Sequence, residues 1–214
     1  MSGRDFSDVL LLIPCCKRKQ GNRHPAIVSP PLDSELSPSA LTMLNEGRRQ
    51  VVDQHRVAFD FTGDVRPAMA WYTGIMYETR DFRDALDAAF QRGLHCLIVS
   101  AGYGLLRPDD PIHYYDLKME KTLGIWRRKL PQILEDYISR IGVRRVFGAL
   151  SAKYCEAVAD VQGRAPPVEF RWYRPHHPRG TPGSAMQEVP RKLGLAVIDL
   201  IASDFRPDGR WERG

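Results

Sequence analysis

Three short strand-like segments, an apolar run at residues 9–13, a buried strand at 94–99 and a third strand at 143–150, constrain this chain more than any other feature. Each has the length of a strand, and each passes straight into small or polar residues. A run that is apolar throughout suits a strand covered on both faces, as in a parallel sheet flanked by helices. The segments between the runs supply such helices. Ser37 followed by Pro38 reads as an N-cap with proline at the first helical position. The helix it opens runs to about Ala58, with Leu41, Leu44, Val51, Val52 and His55 on one side and Gly47 weakening it. From Asp81, Phe82, Ala85, Leu86, Ala89 and Phe90 fall at helical spacing until Gly93. Trp126, Leu130, Ile133, Leu134, Tyr137 and Ile138 mark a further amphipathic face, with Pro131 a kink or a start and Gly142 the end. A short helix from Ala152, a strand near residues 168–172 and a last helix carrying Met186, Val189, Leu193, Val197, Leu200 and Ile201 complete the series. Residues 68–72 read as a short strand, 20–38 as a proline-rich loop and 105–119 as irregular. Strands alternating with helices predict a single α/β domain over residues 1–214, with a mostly parallel central sheet flanked by helices.

Composition narrows the class. With 43% hydrophobic and 27% charged residues the chain is globular rather than disordered, collagen-like or coiled-coil. No apolar run approaches the ~20 residues of a membrane span, so no membrane partner is expected. No leader-like pattern precedes residue 9, and a cytoplasmic location is expected. Four cysteines without a Cys-x-x-Cys spacing fit a reducing compartment and argue against a zinc ribbon. The net charge of +5 is too mild to name a partner, so the placement of the charge matters more than its sum.

In an open parallel sheet, ligands bind beyond the carboxyl ends of the strands. Here those ends run into Pro14-Cys15-Cys16-Lys17-Arg18-Lys19, Ser100-Ala101-Gly102-Tyr103-Gly104 and Ser151-Ala152-Lys153-Tyr154. Small residues, hydroxyls and amide-rich turns suit an anion, and Lys17, Lys19 and Lys153 would add cations. Ordinary strand-to-helix turns with caps would look the same loop by loop. Gly102-x-Gly104 lacks the third glycine and the following helix of a dinucleotide fingerprint, and no cofactor is expected. Cys15 or Cys16, flanked by lysines, could be a nucleophile or a peroxide-sensing thiol. A second basic segment, from Arg171 through Trp172, Tyr173 and Arg174 to Arg179, interleaves aromatics with arginines and contains no acid. That pattern serves base stacking and phosphate contact, or equally an edge strand leaving the core. The neighbouring His176 and His177 have no carboxylate or thiol at ligand spacing, so no metal is expected. Within residues 105–119, His113 and Asp116 could serve in acid–base roles, while Tyr115 and Asp116 could equally pin the loop.

Several of these blocks together resemble the YaaA family of peroxide stress proteins. They are Tyr72-Thr-Gly74-Ile-Met-Tyr77, the long block from Ser100 through Tyr103, Gly104, Arg107, Asp110 and Tyr115 to Met119, then Trp126, then Leu150-Ser151-x-x-Tyr154. The match is best over residues 71–158. The resemblance implies an α/β fold, a positively charged cleft, DNA binding and protection of DNA against oxidative damage. It would place Gly74, Tyr77, Ser100, Tyr103, Gly104, Arg107, Asp110, Tyr115, Ser151 and Tyr154 around the cleft. The first turn departs from the family's Ser-Pro-Ala-Lys-like segment and has Pro14-Cys15-Cys16-Lys17 instead. Two functions follow as expectations. One is a nucleic-acid-binding protein held by phosphates and stacked bases. The other is an enzyme acting on a nucleobase, nucleotide or N-glycosidic bond, with Cys15, Lys17, His113 or Asp116 in catalytic roles.

Overall fold

The computed structural model describes residues 4–19, 30–165, 167–174 and 185–213. The elements in chain order are β1 (Val9–Pro14), α1 (Leu32–Glu35), α2 (Pro38–His55), β2 (Phe59–Pro67), α3 (Ala68–Trp71) and α4 (Phe82–Phe90). There follow β3 (His95–Ser100), β4 (Gly104–Leu106), β5 (Pro111–Tyr115), α5 (Met119–Ile141), β6 (Arg145–Gly148), α6 (Ala152–Val158), β7 (Glu169–Tyr173), α7 (Ala185–Ala202) and β8 (Trp211–Arg213). A six-stranded sheet runs in the order β4-β3-β1-β6-β7-β8. Its four inner strands are parallel, and β4 and β8 close its edges antiparallel. This is the mostly parallel α/β fold that the sequence predicts. All six residues of β1 are buried, as its unbroken apolar run requires. Helices α2, α5 and α6 pack together, and α4 packs with α7.

Local signals explain most boundaries. The Ser37 hydroxyl accepts the Ala40 N–H at 3.3 Å, with Pro38 opening α2, and a 3-10 turn over Arg56–Ala58 carries the chain to β2. Pro131 neither starts nor breaks a helix: it lies buried inside α5, which begins twelve residues earlier at Met119.

Three expectations are corrected. Residues 68–72 are not a strand, since α3 takes up 68–71. A short run buried on all sides gives no periodicity to separate the two states. The loop between β4 and β5 accepts the Ala68 and Met69 N–H groups, at the start of the helix, on the carbonyls of Asp110 and Pro108. Residues 105–119 are not irregular throughout but contain β5 and most of β4. Their partners were the hidden part: β5 pairs with β2, a strand masked in the sequence by Asp60, Gly63, Asp64 and Pro67. The 20–38 loop, where described, holds the single turn of α1.

Candidate functional site

Strands β3, β1 and β6 lie side by side and parallel, so their carboxyl ends share one rim. The chain enters β3 on one side of β1 and later β6 on the other. The strand order therefore reverses between β1 and β6, and that reversal is where α/β sheets open a crevice. Cys15 stands at this point. Its N–H donates to the Val99 carbonyl at 2.9 Å, one step past the end of β1. Its Sγ shares a 3.1 Å hydrogen bond with the Tyr154 hydroxyl from α6 and receives the Ala101 N–H at 3.5 Å. All three predicted loops thus meet on one thiol.

Beneath it lies a cluster of lysine and tyrosines. The turn after β1 folds back so that Lys19 bridges Tyr72, and the Thr73 N–H donates to the Arg18 carbonyl at 3.0 Å. This close approach needs a glycine at 74, because a Cβ there would come within 2.7 Å of Cys16 Cβ. The Gly74 N–H instead reaches Cys16 Sγ at 3.3 Å. Lys19 is only 6% exposed. Its ammonium donates to the Cys16 carbonyl at 2.8 Å and sits 3.8 Å from the centre of the Tyr115 ring. Burial pulls the Lys19 pKa down, against the opposing pull of Cys15, Cys16 and Asp116. Tyr115 links the cluster, its hydroxyl 2.9 Å from that of Tyr72 and 2.8 Å from the Ser100 hydroxyl, which accepts the Tyr103 N–H. Tyr77 donates to the Pro14 carbonyl at 2.7 Å. Burial raises the pKa values of Tyr72, Tyr77, Tyr115 and Tyr154, so these phenols keep their protons, and it pushes the Cys16 thiol up to about 12.

The structure brings Cys15, Lys19, Gly74, Tyr77, Ser100, Tyr103, Tyr115, Ser151 and Tyr154 to this rim, with Lys17 exposed at the tip of the first turn. Lys153 is exposed on α6 and paired with Glu156 at 2.8 Å. Asp116 is exposed directly after β5. His113 is half-buried, its N–H donating to the Tyr103 hydroxyl at 3.1 Å. Ser151 occupies the first position of the α6 turn without a side-chain cap bond.

Other residues fall elsewhere. Arg107 and Asp110 stand toward the far end of the sheet. Arg107 donates to the Tyr137 hydroxyl at 2.7 Å, next to His95 at the start of β3, and faces Glu35 at 3.3 Å. Asp110 accepts the N–H groups of Arg107 and Leu32, so both residues serve packing rather than the rim. Gly104 pairs with Ser100 at the end of β3, and its φ of 76° and place under the Trp126 ring give it a packing role there. Lys19 is not a free cation for phosphate, because its donors are committed inward.

The second basic segment also reads differently in three dimensions. Trp172 and Tyr173 are buried on β7, and Arg171 and Arg174 are paired with Glu169 and Glu212. Glu169 stands two positions before Arg171 on β7 itself, and β8, pairing alongside, brings Glu212 to Arg174. Arg179, His176 and His177 lie outside the described residues. Tyr72, central to the cluster, opens the first family-like block but is not among the expected cleft residues, since its role arises from a contact 43 positions away. Among the described residues, no three His, Cys, Asp or Glu side chains gather as a metal site would require.

No curated protein matches the chain. Among solved structures, the crystal structure of AF0587, a protein of unknown function, is similar at a TM-score of 0.34 and 12% identity. That likeness covers 97% of this chain, which spans about half (48%) of the other. No described helix is long and apolar enough to cross a membrane. The family model described as peroxide stress protein YaaA matches residues 34–173. That span takes in the Tyr72–Tyr77 turn, the block from Ser100 to Tyr115 and the start of α6, the parts that build the buried cluster around Cys15. The chain belongs to the peroxide stress protein YaaA family.

Proposed function

We propose that the protein binds nucleic acid through its phosphates across the rim at the β1–β6 switch, as its part in peroxide stress. One observation supports this most: the loops after β1, β3 and β6 converge on Cys15, with Lys17 exposed at the tip of the first and Lys153 exposed beside the third. Backbone amides and cations gathered at strand ends favour an anion. Lys17 has no ion pair among the described residues, so its charge is available to a phosphate. Titration of a labelled oligonucleotide at several salt concentrations tests the reading. Lys17→Ala weakens binding across all sequences alike and lowers the salt slope by roughly one. A variant that binds like the wild type contradicts it.

The buried Lys19 favours a second reading. Ionisable groups forced into apolar surroundings are characteristic of catalytic sites. In this reading the rim binds a nucleotide or nucleobase, or cleaves an N-glycosidic bond, with Cys15, Lys17, His113 and Asp116 supplying the chemistry. Thermal unfolding with a panel of mononucleotides separates the two. One nucleotide raises the melting point of the wild type and of Arg174→Ala but not of Lys17→Ala; a panel without any shift removes the enzyme reading.

A further inference from the structure

Four large hydrophobic side chains are exposed among the described residues, and three of them, Val57, Phe61 and Val65, fall within nine positions. They lie at and beside the β2–β5 ribbon, which stands apart from the six-stranded sheet. Phe61 sits where the register shifts between Asp60 and Val65. A bulge of this kind re-aims a side chain. The Asp60 carboxylate holds it in place by accepting the N–H groups of Thr62 and Gly63, each at 3.0 Å.

What Phe61 adjoins sets it apart from an ordinary exposed hydrophobe. Its ring is nearly parallel to that of Phe59, 7° apart with centres 5.4 Å from each other. Phe59 in turn stacks on Tyr115 at 5.7 Å. Against Tyr115 rests the Lys19 ammonium, at 3.8 Å. A ladder of rings therefore runs outward from the buried cluster, and its last ring is 41% exposed. His113 meets this ring in a T-shaped contact at 5.3 Å, and the Arg56 guanidinium lies over it, 5.9 Å from its centre. The nearby acids are engaged within the ribbon: Asp60 caps its turn and Asp64 pairs with Arg66.

We propose that Phe61 is a stacking platform for an unpaired nucleobase, and that the β2–β5 ribbon makes the protein prefer single-stranded nucleic acid. This rests on the rim reading above and extends it from phosphate contact to base contact. A part-exposed ring with an arginine over it offers a base both ring contact and a planar cation, without regard to sequence, and bases stacked inside a duplex do not offer their faces. The ladder joins the ribbon to the rim, from Phe61 through Phe59 and Tyr115 to Lys19, two residues along the chain from Lys17.

The test uses the full chain with a labelled oligothymidine and the same strand in a duplex. Phe61→Ala weakens single-strand binding by roughly 5- to 100-fold and leaves duplex binding almost unchanged. Phe61→Trp retains affinity, and its indole fluorescence is quenched on strand binding beyond any change in the wild type, whose four tryptophans give the background. Unquenched fluorescence in a complex that Phe61→Ala does not weaken overturns the proposal. So does self-association of the wild type that Phe61→Ala abolishes, which would assign the patch to a second copy of the chain. If Lys17→Ala weakens binding while Phe61→Ala does not, the ribbon proposal fails and the rim reading stands. If no oligonucleotide binds at low salt, both fail.

Discussion

Burial decides what the adjacent cysteines can do. Cys15 and Cys16 follow one another in sequence, yet their thiols face different partners, Tyr154 and Ala101 for one, Gly74 and the Arg18 carbonyl for the other. Burial holds the Cys16 thiol at about 12 against an ordinary 9.0. At pH 8 its thiolate fraction is then roughly a thousandfold below that of a free thiol, and the thiolate is the reactive form. A mild alkylating reagent modifies Cys16 in the native protein far more slowly than after denaturation; mass spectrometry showing equal rates contradicts this. The same shift carries a stability sign. A folded pKa above the unfolded one stabilises fully below pH 9, and the contribution is lost as the pH climbs toward about 12. At this scale the sequence was only partly legible. Lys17 and Lys19 are two residues apart and look alike, but one is exposed and the other is enclosed by Tyr72 and Tyr115. No local pattern announces an enclosure made by residues so distant in the chain.

Among the elements, α1 shows how a single turn is kept in place. Four residues cannot hold a helix by their own propensity. The Asp110 carboxylate accepts the Leu32 N–H at 3.2 Å and the Arg107 N–H at 2.8 Å, tying α1 to the loop between β4 and β5. Arg107 then faces Glu35 at the other end of the same turn. Asp110→Ala leaves two buried donors unmatched and costs about 2–4 kcal/mol, read as a lower midpoint in chemical denaturation. An unchanged midpoint would mean that α1 is held by apolar contacts alone. Long periodic elements were readable from the sequence: α2, α4, α5 and α7 show their buried stripes, and β1 and β3 their unbroken apolar runs. The β2–β5 ribbon was not, because six consecutive residues of β2 are exposed and its pattern carries no alternation. A strand held by one neighbour and facing solvent leaves little trace in hydrophobicity.

For the whole molecule, the topology gathers at one rim loops that are otherwise ordinary. Strand order 3-1-6 sets the turns after β1, β3 and β6 on one edge, and this was foreseeable once the sheet was read as parallel. The distribution of charge was less so. Of the 31 lysines and arginines, Arg171 on β7 and Arg174 just after it are paired with Glu169 and with Glu212 of β8, a strand absent from the sequence reading. The available cations are therefore fewer than the chain suggests, and Lys17 gains weight among them. The central claim is that the rim binds nucleic acid through phosphates, and its most direct test is the salt dependence of oligonucleotide affinity. The logarithm of the binding constant should fall linearly with the logarithm of salt concentration, by roughly 0.7–0.9 for each phosphate contacted, with Lys17→Ala lowering that slope by roughly one. A flat dependence, or a slope that Lys17→Ala leaves untouched, contradicts it.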